Sequence, residues 1–131
     1  MKSFDTNVVV RLLVEDDPPQ CERAERAFRE ALAGGGVFLS VVVLVEVVWV
    51  LRVACKQDRA TIATALRKLV DTAGVVVEHD AIIRGAILEY ETGPADFSDY
   101  VIRESSRERS ALPVLTFDER FARGQDVELV P

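Results

Sequence analysis

Apolar positions recur along the chain with two periods, and their alternation predicts strands and helices in turn. Cys21, Ala24, Ala27, Phe28, Ala31 and Leu32 fall on a helical period. Pro18 to Leu32 therefore reads as a helix, ended by Gly34-Gly35-Gly36. Asp58 to Thr72 reads as an amphipathic helix with Ile62, Leu66, Leu69 and Val70 on one face, broken at Gly74. Asp80 to Glu91, closed by Gly93-Pro94, and Asp96 to Arg109 read as two more helices, and Phe117 to Ala122 as a short helical turn. Between them lie short apolar runs that read as strands: Lys2 to Phe4, Val37 to Leu39, Val75 to Val77, Pro113 to Thr116 and Val127 to Val130. Val41 to Ala54 is ambiguous, because its valines favour strand while its length exceeds that of a buried strand. Ser40 can cap a helix start there, and a buried helix is the better reading. Short strands separated by helices imply an α/β fold with a parallel sheet covered on both faces. In such sheets ligands bind beyond the carboxyl ends of the strands.

The 131 residues suit one domain spanning 1–131, and 49% apolar residues give it a globular composition. The net charge of −6 argues against bulk binding to DNA or to an anionic membrane. It does not exclude a nucleic-acid substrate, because bound cations and local arginines can override the global sign. Cys21 and Cys55 are isolated and read as small hydrophobes in a reducing compartment. The segment MKSFDTN carries an acid where a signal peptide needs apolar residues, and Val37 to Leu51 is too short and too polar to span a membrane. A soluble cytoplasmic protein is expected.

Several acids sit where core or turn residues would otherwise stand. Asp5 ends the first strand and Asp118 follows Val114-Leu115-Thr116, so parallel strands would bring both to one sheet edge. Each can also simply cap the next helix. Glu46 interrupts the run Val41 to Leu51, which on either secondary structure would be mostly buried, and a buried carboxylate needs a partner. That partner can be an arginine or a metal ion. Asp96 and Asp99 are three apart at a helix start, an arrangement that serves as a cap and in which the helix dipole keeps both carboxylates ionised. Gathered together, four or five carboxylates would repel one another, and divalent cations would relieve the repulsion. Oxygen-only ligands favour Mg²⁺ or Mn²⁺ over zinc, and such ions activate water and stabilise charge developing on a phosphodiester. His79 is the only histidine, which removes a histidine-pair ribonuclease mechanism and leaves His79 as a turn residue. No phosphate-binding glycine loop or nucleophile elbow is present.

Asp5-Thr6-Asn7-Val8, then Glu46 in its apolar run, then Ala95-Asp96-Phe97-Ser98-Asp99, then Leu115-Thr116-Phe117-Asp118 together resemble the PIN-domain family, and most closely the VapC toxins of toxin–antitoxin systems. The resemblance spans nearly the whole chain. It implies a three-layer α/β/α sandwich with a short-stranded parallel sheet and a metal-dependent endoribonuclease. The catalytic, metal-binding acids would be Asp5, Glu46, Asp99 and Asp118, with Asp96 auxiliary beside Asp99. Thr6, Asn7, Ser40 and Thr116 would hydrogen-bond those carboxylates or the attacking water. It further implies Mg²⁺ or Mn²⁺, an RNA substrate (tRNA, rRNA or mRNA), a cognate antitoxin seated on a hydrophobic groove, and a homodimer. The valine-rich helix and Pro18 to Leu32 would supply that groove. Arg11, Arg103, Arg107, Arg120 and Arg123 lie in or near the motif segments and are candidates for holding phosphates.

Other functions fit parts of the pattern. A phosphoacceptor domain also places acids at strand ends but needs a late lysine, and none follows Lys68. A non-catalytic PIN-like scaffold and a DNA-directed nuclease on the same site remain alternatives, since nothing here reads a 2′-hydroxyl.

Overall fold

The computed structural model describes residues 1–131. Its order is β1 (Lys2–Ser3), α1 (Thr6–Leu13), α2 (Pro18–Ala33), β2 (Val37–Leu39), α3 (Val41–Val53), α4 (Arg59–Val70), β3 (Val75–Val77), α5 (Asp80–Thr92), α6 (Phe97–Glu108), β4 (Val114–Thr116), α7 (Glu119–Ala122) and β5 (Val127–Leu129). Seven helices and short, wholly parallel strands make this the expected α/β, PIN-like class. The strands are paired as two ladders, β1-β2-β3 and β4-β5. The chain correspondingly forms two compact units, Met1–Asp80 and Ala81–Pro131. No helix is long and apolar enough to cross a membrane.

In the first unit each helix starts where a side chain takes up an otherwise unsatisfied amide. Asp5, Asp17, Ser40 and Asp58 accept from Val8, Gln20, Val43 and Thr61. Pro18 and Pro19 open α2, where a missing N–H costs nothing. Val9, Leu39, Leu44, Val47, Leu51 and Ile62 are completely buried and form the core. At the foot of the ladder the α2–β2 turn lies against the α4–β3 turn. A Cβ at Gly36 (φ +114°) would stand 2.6 Å from the Gly74 carbonyl oxygen, so only glycine fits there.

Helix α3 settles the ambiguous valine run, but it is not buried all round. Leu44, Val47, Val48 and Leu51 face the core, while Val42, Trp49 and Val53 are exposed. The helical period leaves a stripe outside at 42, 46, 49 and 53, and valines on both the inner and the outer face of the helix disguise the amphipathicity.

In the second unit α5 and α6 bury Ile83, Ala86, Ile87, Tyr90, Phe97 and Tyr100. Tyr90 meets Phe97 edge to face at 5.9 Å. His79 lies in a turn at φ +50°, exposed, as a turn residue should be. Both cysteines are free.

Candidate active site

Within Met1–Asp80 the three parallel strands end on one edge, at Asp5, Ser40 and Glu78. Asp5 Oδ1 accepts from the Val8 amide at 3.1 Å and so both caps α1 and stands at the ladder's carboxyl edge. Thr6 begins α1, and its hydroxyl donates to Glu46 Oε1 of α3 at 3.0 Å. The fold thus joins the DTN segment to Glu46 across 40 residues of sequence.

Glu46 departs from its sequence reading. It is exposed, because position 46 falls on the outward stripe of α3 rather than in the core. The desolvation argument for a partner does not apply to it; what orients it is the Thr6 hydroxyl. Ser40 Oγ accepts from the Val43 amide at 3.2 Å and holds the α3 start rather than a carboxylate. Asn7 is exposed one turn into α1.

Glu78 was missed by the sequence reasoning. Its Oε1 accepts from the Val41 amide at 2.9 Å, giving α3 a second N-terminal cap from the end of β3. The available signal was the one that singled out Asp5 and Asp118, an acid immediately past a strand.

Within Ala81–Pro131, Asp96 is the N-cap of α6 and its own amide donates to Asp99 Oδ2 at 3.1 Å. The loop ahead of it is held by Tyr100, whose hydroxyl accepts from the Ala95 amide at 3.2 Å. Asp118 caps α7, its Oδ1 accepting from Arg120 and Phe121 at 2.8 and 3.2 Å. Thr116 Oγ1 accepts from the Asp118 amide at 3.0 Å. Thr116 therefore fixes the turn that carries Asp118, without touching its carboxylate.

The Asp99 carboxyl is raised above the usual aspartate range. Burial is the largest cause, and the charges of Asp96 and Asp118 push the same way, while the Asp96 amide bond opposes them. The helix start was expected to keep both acids ionised. At Asp99 partial burial, more than the two like charges, works against that preference.

The carboxylates were expected to form one group of four or five. The structure brings together Thr6 with Glu46 in one unit, and Asp96, Asp99 and Asp118 electrostatically in the other. No group of three or more acids, histidines or cysteines is arranged to hold a metal ion. Asp5, Asp99 and Asp118 each turn one carboxylate oxygen to a backbone amide of their own helix start. The donor chemistry nonetheless suits a hard divalent cation. All the candidates are carboxylate oxygens, the ligand type that such an ion prefers.

Among the arginine candidates, Arg103 is corrected. It is 3% exposed and pairs with Glu89 at 3.2 Å and Glu104 at 3.8 Å. It also lies over the Tyr100 ring at 5.2 Å. A guanidinium so buried and occupied cannot reach a phosphate; it fell on the inner face of α6, which the motif's proximity concealed. Arg107 bridges Glu104 and Asp126, tying α6 to the turn before β5. Arg11 is bonded to Asp16 and Gln20. Arg120 and Arg123 are exposed.

The family model described as PIN domain matches residues 3–126. A search of curated proteins returns no match.

Proposed function

This chain belongs to the PIN domain family, whose fold is of nuclease type, and on that premise we propose that it is a Mg²⁺- or Mn²⁺-dependent endoribonuclease. The observation that carries the proposal is the match of residues 3–126 to the PIN domain family, together with the Glu46 carboxylate held by the Thr6 hydroxyl at 3.0 Å. Glu46 caps no helix, so its hold by a hydroxyl 40 residues away is not explained by helix capping.

Each unit supplies carboxylates of the kind that would hold the cation, Asp5 and Glu46 in the first and Asp96, Asp99 and Asp118 in the second. When bound the cation would lower the pKa of a water and neutralise charge developing on the phosphodiester. The chain's own groups do the positioning. The Thr6 hydroxyl fixes the Glu46 carboxylate, and Thr116 fixes the turn that presents Asp118. Phe117, 84% exposed beside Asp118, offers a flat face on which an unstacked base can lie, which favours single-stranded substrate.

The proposal extends to a toxin role with a cognate antitoxin. It is supported by an apolar cleft of about 760 Å³ between α1, α2 and α4, bordered by Leu12, Leu13, Phe28 and Leu69. The exposed α3 stripe with Trp49, 58% exposed, supports a homodimer.

Asp5→Asn tests the core claim. Asparagine still accepts from the Val8 amide, so the helix start survives. RNA cleavage with Mg²⁺ or Mn²⁺ should be abolished while the circular dichroism spectrum is unchanged, and EDTA should abolish wild-type cleavage. Cleavage that persists in EDTA, or in Asp5→Asn, refutes the assignment.

A further inference from the structure

A second groove, separate from the apolar cleft, runs between α1 and α2. It measures about 460 Å³ and is bordered by Asn7, Arg11, Gln20, Arg23, Arg26 and Glu30, among others. Asn7 and Arg11 are four apart on α1, and Arg23, Arg26 and Glu30 recur at spacings of three and four on α2, so polar side chains from both helices rim a floor of Val8, Ala24 and Ala27. The groove continues toward Asp5. A neighbouring cleft of about 520 Å³ includes Asp5 and shares Val8, Ala27 and Glu30 with it.

The charges here oppose those of the whole chain. Three arginines face one glutamate, in a protein of net charge −6. Arg11 is anchored, its Nε donating to Gln20 at 2.7 Å and its fork held by Asp16. Arg23 and Arg26 are exposed and make no ion pair in the structure. Two uncommitted guanidinium forks beside amide donors from Asn7 and Gln20 match the oxygens of consecutive phosphates.

We infer that the α1–α2 groove is the track for the phosphate backbone of single-stranded RNA, with Arg23 and Arg26 as its principal contacts and Arg11 as a fixed wall. This rests on the ribonuclease reading for its choice of nucleic acid. Glu30, where the two clefts meet, sets the negative end of the track next to Asp5 and disfavours a phosphate lodging there without a compensating cation.

The test is fluorescence anisotropy of a labelled 12-nucleotide oligouridylate on the full chain in EDTA, across a series of KCl concentrations. Arg23→Ala/Arg26→Ala is compared with Arg23→Lys/Arg26→Lys and with Arg29→Ala, which is exposed on the same helix outside the groove. Losing two phosphate contacts should make the slope of log K against log salt shallower by about 1.4 for a single strand. The lysine pair and Arg29→Ala should keep the wild-type slope. All side chains changed are exposed, and a thermal melt confirms folding. An unchanged slope in the double alanine variant, or an equal loss in Arg29→Ala, overturns the inference. So does a poly-glutamate peptide whose binding depends on Arg23 and Arg26 while RNA binding does not, since the groove would then face a protein. Cleavage with Mg²⁺ is scored separately. RNA binding that depends on the arginines without any cleavage would sink the nuclease reading and leave the track standing.

Discussion

Gly93→Ala should destabilise the protein, although alanine ordinarily improves a helical position. Gly93 follows α5, its amide donates to the Glu89 carbonyl at 2.9 Å, and its φ is not positive. By backbone conformation alone, alanine would stabilise by about 0.4–1 kcal/mol. The structure reverses the sign. A Cβ at 93 would stand 1.9 Å from the Tyr100 hydroxyl and 2.8 Å from the Glu89 carbonyl oxygen. The Tyr100 ring is 3% exposed and carries Arg103 on its face, so it has little room to retreat. Overpacking of this kind costs about 1–3 kcal/mol. If the hydroxyl is displaced from the Ala95 amide, a hydrogen bond worth about 1 kcal/mol is lost as well. For a chain of this length the melting temperature should fall roughly 5–15 °C. Urea unfolding of Gly93→Ala, Tyr100→Phe and the double variant gives the coupling. Removing the hydroxyl should relieve part of the clash, so the double variant should lose less than the sum of the singles. A rise in melting temperature for Gly93→Ala, or strict additivity, refutes the reasoning. The same loop leads directly to Asp96, so RNA cleavage should fall with stability here.

Asp99→Asn removes an ionised group that the fold disfavours. The folded carboxyl binds its proton more tightly than the unfolded one, so the unfavourable contribution is present above the raised folded pKa and disappears as pH falls toward 3.8. The variant should therefore be at least as stable as the parent at pH 7 and lose that advantage on acidification, read from urea midpoints at each pH; an advantage that grows on acidification contradicts the burial argument. Arg103→Leu leaves Glu89 and Glu104 without their buried cation and should cost about 3 kcal/mol, at the low end for a broken buried pair because Glu89 is half-exposed. Arg103→Lys should recover only part of it, since a point charge cannot span two acids and stack on Tyr100. Equal unfolding midpoints for all three chains would show that the pairing carries no stability.

Much of the fold is legible in the order of residues, and each legible part has a local cause. β2 and β3 fall where their apolar runs lie, and α2, α4, α5 and α6 match to within one or two residues. Periodicity and capping residues act within a turn or two, so the order of residues suffices to read them. The bounds of α1 were not readable, because Thr6–Leu13 is too short for its valines to show a period; Asp5 marked only its start.

Asp5, Asp96, Asp99 and Asp118 each lie at the helix starts where the chain order put them, because a residue just past a strand or just before a helix is constrained by its neighbours alone. Tertiary packing decided the rest. Which way position 46 faces depends on what α3 packs against, and a valine run gives no hint of it. Whether Arg103 meets solvent or Glu89 depends on how α5 lies against α6. The division into two ladders and the meeting of Thr6 with Glu46 likewise depend on contacts between residues far apart in sequence. Local order set the backbone's turns and caps. Burial, and with it the partner and the pKa of each charged side chain, arises only when distant segments exclude water from one another.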